Sequence, residues 1–167
     1  MAHPGHHPHL AHHGAPAGAP PSLDRLAFSA TVHRLTGCAV GEVLGLAVGT
    51  ALGWGTGATI ALAVALAFLF GYALTMLPLL RAGLAFGAAL GLALAADTVS
   101  ITIMEVADNA IMLPIPGAMH AGLGSLLFWA SLAAALLIAG AAAFPVNRWL
   151  ITRGWGHALV HHHHAGH

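Results

Sequence analysis

Between Gly83 and Leu113 the chain runs through Ala, Leu, Ile, Val and Met without one basic residue, yet it carries Asp97, Glu105 and Asp108. No other feature limits the fold as much. A helix over 83–113 would be roughly 46 Å long, more than the roughly 30 Å of a bilayer's hydrocarbon, so it must tilt, break or project. At about 100° per residue the three acids fall within roughly 80° of arc on one face. Ser100, Met104 and Met112 lie on or beside that arc, with Thr98, Ile103, Val106 and Ala110 opposite. Inserting an acid at mid-bilayer costs about 2.5–3.5 kcal/mol, against about 0.3–0.6 gained per Leu, Ile, Phe or Val. Acids placed there mark a functional site by default.

Composition supports the membrane setting. The chain is 58% hydrophobic and only 6% charged, where soluble domains carry about 25% charge. The expected fold class is all-α: an integral membrane bundle of four transmembrane helices with disordered His-rich termini. Residues 1–27 form a His/Pro/Gly/Ala-rich tail, 28–153 the helical domain, and 154–167 a second His-rich tail. Zero formal net charge gives no reason to expect a nucleic-acid partner; the partner is the lipid bilayer. Cys38 is the single cysteine, so no internal disulfide forms. The N-terminus lacks a basic stretch leading into an apolar one, so the first span is expected to act as its own anchor.

Four apolar spans are expected at about 29–53, 57–80, 83–113 and 123–144. In the first, Gly37, Gly41, Gly45, Gly49 and Gly53 recur at every fourth position. Such a ridge of small residues lets two helix backbones approach closely. A homodimer through Gly37, Gly41, Gly45 and Gly49 is one expected use. Pro78 is expected to end or kink the second span. Pro145 follows the fourth, leaving Asn147, Arg148, Trp149 and Arg153 as an interfacial anchor.

The polar residues sort into stations. Glu42 lies about 20 Å beyond Ser29, and Asp97 about 21 Å beyond Gly83, so the two are expected to face each other at equal depth. Two carboxyl groups side by side in such a setting share a proton or hold a cation. Ser100 and Cys38 would flank this central station. Glu105, Asp108, Asn109 and His120 would form an outer one. A metal reading draws its ligands from His33, Cys38, Glu42, Asp97, Glu105 and Asp108, with low-affinity collection by the tail residues His161, His162, His163 and His164. The mixed donors suit a transition metal ion such as Zn, Cu, Ni or Fe. His33 and Glu42 are nine residues apart, on opposite faces of an ideal helix, so they share a partner only if the helix starts late or loosens at Gly37.

The runs TVHRLTGCAVGEVLGLAVGTALGW, ALAADTVSITIMEVADNAIMLPIPGAM and AAFPVNRWLITRG, with their H-x4-C-x2-GE and D-x7-E-x2-DN patterns, resemble the bacterial family called domain of unknown function 4396. The likeness covers roughly 28–158. It implies a small multi-spanning membrane protein and assigns no activity to any position.

The function expected from these residues is transport, binding or sensing of a cation, a metal ion above all, through the intramembrane acids. Two alternatives stand beside it. One is a structural or accessory subunit whose acids pair with a partner chain. The other is an intramembrane metalloenzyme or metal-maturation partner, although the chain has no HExxH, GxSxG or CxxC and no catalytic residue is assigned.

All five basic residues, Arg25, Arg34, Arg81, Arg148 and Arg153, fall on one side of a four-span topology. The positive-inside rule then puts both termini in the cytoplasm of a bacterium, with the chain in its inner membrane. Loops 53–57 and 114–122 would be external. A reporter fused after His167 is expected to be active only in the form that reads cytoplasmic location. Activity of the periplasmic form instead would reverse the topology.

Overall fold

The computed structural model of the chain describes residues 21–118 and 121–153. Among these residues there are four α-helices and no strand: α1 Leu23–Ala51, α2 Thr56–Arg81, α3 Phe86–Met112 and α4 Leu126–Thr152. Helices α2, α3 and α4 are each long and apolar enough to cross a membrane. Helix α1 is as long, at 29 residues, but carries Asp24, Arg25, His33, Arg34 and Glu42. The remainder of the two expected tails lies outside the described residues.

Helix α1 begins inside the stretch expected to be a disordered tail. The Ser22 hydroxyl accepts a hydrogen bond from the Arg25 amide at 3.3 Å. Asp24 adds a negative charge to the first turn, where the helix dipole favours it. The helix therefore starts six residues before Ser29. Helix α2 ends at Arg81, three residues past Pro78, close to the expected end of its span, while the expected stop at Pro145 is corrected. Both prolines lie inside helices, and α4 runs on to Thr152. A proline removes one N–H and crowds the preceding turn, but the flanking residues keep their helical conformation here. The extension makes Asn147 and Arg148 helical residues rather than a loop anchor. Trp149 and Arg153 do meet, with the guanidinium carbon 4.9 Å from the indole centroid.

Two tight reversals set the antiparallel order. After α1, Gly53 has φ +65°. Its amide donates to Thr50 O at 3.2 Å, and the Trp54 amide to Gly49 O at 2.9 Å. After α2, Gly83 has φ +87°, with Gly83 N to Leu80 O at 3.0 Å and Leu84 N to Leu79 O at 3.1 Å. Both are Schellman ends, which need a residue that takes positive φ without penalty.

The glycine ridge, expected as a self-association face, packs against α2 of the same chain. Against it lie Gly71, Ala67, Ala63 and Thr59 of α2. A Cβ at Gly37 would sit 2.8 Å from Gly71 Cα, and one at Gly45 only 2.5 Å from Ala63 Cα. Gly41 abuts the Ala67 backbone and Gly49 the Thr59 side chain. One position round the helix, Phe28, Val32, Val40, Leu44, Val48 and Leu52 are exposed, an apolar stripe at fourfold spacing. Helix α1 thus turns small residues to α2, apolar residues outward and polar residues inward, and it contacts all three other helices.

Gly41→Leu and Gly45→Leu are expected to lower the melting temperature in detergent strongly, because they meet backbone that cannot swing aside; overpacking costs about 1–3 kcal/mol even where side chains can adjust. Gly57→Ala, at a site where an added Cβ meets nothing within 4 Å, should leave it unchanged. Equal melting for all three would refute the close α1–α2 contact.

Candidate functional site

The interior face of α3 carries Asp97, Ser100, Met104, Glu105, Asp108 and Met112, all buried. The expected arc of acids is therefore the face turned into the bundle, while Thr98, Val106 and Ala110 are exposed; Ile103, expected with them, is instead half-buried against the core. What the acids meet differs from expectation.

Asp97 does not face Glu42. It pairs with Arg34, a residue expected near the membrane surface. Arg34 Nε donates to Asp97 Oδ1 at 2.7 Å, and Nη2 lies 2.7 Å from the same oxygen as an ion pair. Nη1 donates to Asn147 Oδ1 and Nη2 to the Ala96 carbonyl, each at 3.0 Å. Asn147 Nδ2 donates to Thr31 Oγ1 at 2.7 Å, and that hydroxyl to the Ala27 carbonyl at 2.8 Å. Asp97 and Asn147 are fully buried, with Arg34 and Thr31 nearly so. One charged and hydrogen-bonded knot thereby joins α1, α3 and α4.

The reason is helix register. From their actual starts, Glu42 is nineteen residues into α1 and Asp97 eleven residues into α3. At 1.5 Å per residue they differ by roughly 12 Å in depth. Arg34, eleven residues past Leu23, is the α1 residue level with Asp97. The early start was readable in Ser22 and Asp24, a cap and a first-turn acid. Asn147 gave no comparable signal, since Pro145 argued for a helix end before it.

Glu42 turns instead toward Asp108 and Glu105, and the three acids line one cavity. The Cys38 thiol is likewise beside the Glu105 carboxyl. Both Glu105 oxygens, one Glu42 oxygen and one Asp108 oxygen are buried without a hydrogen-bond partner. Next to them is a partly open cavity of about 40 Å³, lined by Glu42, Thr59, Glu105, Asp108 and Asn109, with Leu46, Ile60, Ala63, Met112, Ala118 and Phe128 as its apolar wall. That volume accommodates about three waters. The cavity lies toward the end of the bundle that holds the α1–α2 and α3–α4 connections.

The expected central and outer stations are thus redrawn. Glu42 and Cys38 join Glu105 and Asp108, while Asp97 goes to Arg34, and Ser100 lies between the two groups along α3. Asn109 lines the cavity, but its amide donates to the Glu105 backbone carbonyl at 2.9 Å. His33 is half-buried beside Arg34. Among the described residues no three His, Cys, Asp or Glu side chains converge as a metal cage, so the six expected ligands do not form one site. His120 and His161–His164 lie outside the described residues.

Four antiparallel helices, three of them of membrane-crossing length and polarity, with two interior polar groups, define a small helical bundle with an ionisable core. The family model of DUF4396, a domain of unknown function, matches residues 25–156, and the chain belongs to that family. No curated protein and no solved structure matches it.

Removing one member of a buried ion pair leaves the other charge uncompensated and costs about 3–5 kcal/mol. Asp97→Asn and Arg34→Met are each expected to destabilise the purified protein by about that amount. Asn147→Ala, which takes a partner from one donor, Arg34 Nη1, and from one acceptor, Thr31 Oγ1, should cost about 1–3 kcal/mol. The double variant Arg34→Met/Asp97→Asn should cost less than the sum of the two singles. Additive losses in detergent unfolding would show that the pair is not coupled.

Proposed function

We propose that this chain is a multi-pass protein of the bacterial inner membrane, both termini cytoplasmic, that binds a cation at Glu42, Glu105 and Asp108 and passes it across the bilayer. One observation carries the reading: Glu105 is 4% exposed, has neither carboxylate oxygen hydrogen-bonded, and lines a cavity with two further acids. Carboxylates grouped in apolar surroundings need protons or a cation between them. The polar side chains lining the cavity, Glu42, Glu105, Asp108, Thr59 and Asn109, offer mainly oxygen, with the Met112 thioether in the apolar wall. That set fits a proton or a hard cation better than a thiophilic metal.

Four arginines support the orientation. Arg25, Arg81, Arg148 and Arg153 lie at one end of the bundle, while Arg34 drops out of the count as an interior group. Arg148 Nε also meets Asp24 Oδ1 at 3.0 Å, an exposed pair of little energetic weight. The accessory-subunit alternative needs acids directed at a partner chain, and these acids point into their own bundle.

The test uses the full chain in proteoliposomes, with one vesicle set holding a trapped pH dye and another a manganese-quenched dye. Wild type is expected to carry protons or Mn²⁺ above the rate of protein-free vesicles. Glu105→Gln and Asp108→Asn are expected to bring that rate down to background. Background rates for wild type with both ions would overturn the reading.

A further inference from the structure

We propose that Asp97 Oδ2 and Ser100 Oγ form a second, inner station that receives the cation as a proton carried on bound water, and that Arg34 creates this station. The inference rests on the cation reading above and narrows its substrate to the proton.

The first observation is how Arg34 holds Asp97. Arginine–carboxylate pairs commonly use two nitrogens on two oxygens. Here Nε and Nη2 converge on Oδ1 alone. Asp97 Oδ2 is left fully buried without a partner.

The second is the hydroxyl of Ser100. Elsewhere in the bundle Thr31, Thr59 and Ser131 each donate to the carbonyl four residues back, the usual refuge of a helical hydroxyl. For Ser100 that carbonyl is Ala96, and it already accepts from Arg34 Nη2 at 3.0 Å. Ser100 Oγ is fully buried and makes no hydrogen bond. Arg34 therefore leaves both groups free, three residues apart on one face of α3, where neighbouring side chains meet.

A buried hydroxyl and a buried carboxylate oxygen left open together suit a water molecule, which donates to Oδ2 and accepts from or donates to Oγ. A metal cation suits the place poorly, because the Arg34 guanidinium already neutralises Asp97. A proton needs only a chain of hydrogen bonds. The next polar group on the inner face of α3 is Glu105, five residues on, with Cys38 beside it. From Asp97 through Ser100 and Glu105 to Asp108 the steps climb roughly 16 Å. The proton enters from the cavity acids, passes through water to the Asp97–Ser100 station and leaves toward the arginine-bearing end, with no net change in the protein.

Ser100→Ala tests this cleanly, since it removes a hydroxyl that bonds nothing in the protein and should leave melting unchanged. In the same two vesicle sets, wild type is expected to carry protons and not Mn²⁺. Ser100→Ala is expected to slow proton flux roughly tenfold or more. Wild-type proton flux in Ser100→Ala, with flux lost in Glu105→Gln, would overturn the inner station and leave the outer site standing. Mn²⁺ flux in wild type would overturn the proton assignment. Background flux of both ions in wild type would remove the cation reading and this inference together.

Discussion

The Arg34–Asp97 pair fixes how α1 stands against α3 and α4, and nearly every other interior contact follows from that register. A guanidinium in an apolar bundle has to find acceptors for its N–H groups in fixed directions. Asp97, Asn147 and the Ala96 carbonyl supply them from two helices. Sliding α1 by one turn would separate Arg34 from all three. With that level fixed, the next turns of α1 bring Cys38 beside Glu105 and Glu42 beside Asp108. The acid cavity is in this sense a consequence of the arginine below it.

The glycines are the complement of that knot. Helix α1 contacts all three other helices and is the helix richest in charge. A thin face of Gly37, Gly41, Gly45 and Gly49 lets α2 lie against its backbone. Close packing there offsets the cost of placing polar groups on the remaining inner face. Helices α2, α3 and α4 then carry the apolar character needed for a lipid setting.

Much of this arrangement was legible from periodicity. Spacing alone put Asp97, Glu105 and Asp108 on one face and Thr98, Val106 and Ala110 on the other, because helix geometry is the same in every setting. It also gave the close-approach ridge, though not which helix lay on it. Depth was the part that failed. An equal level for Glu42 and Asp97 assumed a start at Ser29, and Ser22 moved it by six residues. The expected arrest at Pro145 hid Asn147 in the same way. Both errors concern where a helix ends, which depends on a few local hydrogen bonds and on packing that hydropathy does not encode. The partner of a buried charge is a tertiary fact, and Arg34 reads as an interfacial residue until its register is known.

The two polar groups differ in their state of satisfaction, and that difference gives the bundle a direction. Toward the arginine-bearing end, Asp97 has a resident counter-charge and Arg34 uses each of its three nitrogens. Toward the other end, three acids share a cavity with no cation among the side chains that line it. A satisfied polar network in low dielectric is rigid, while an unsatisfied one favours any species that completes it. The bundle thus holds a paired charge toward one end and three acids without a counter-charge toward the other. Asp97 Oδ2 and Ser100 Oγ, both open, lie where the series of acids reaches that pair. A symmetric fork between Arg34 and Asp97 would have ended the series at Glu105; the lopsided pair extends it by two further groups.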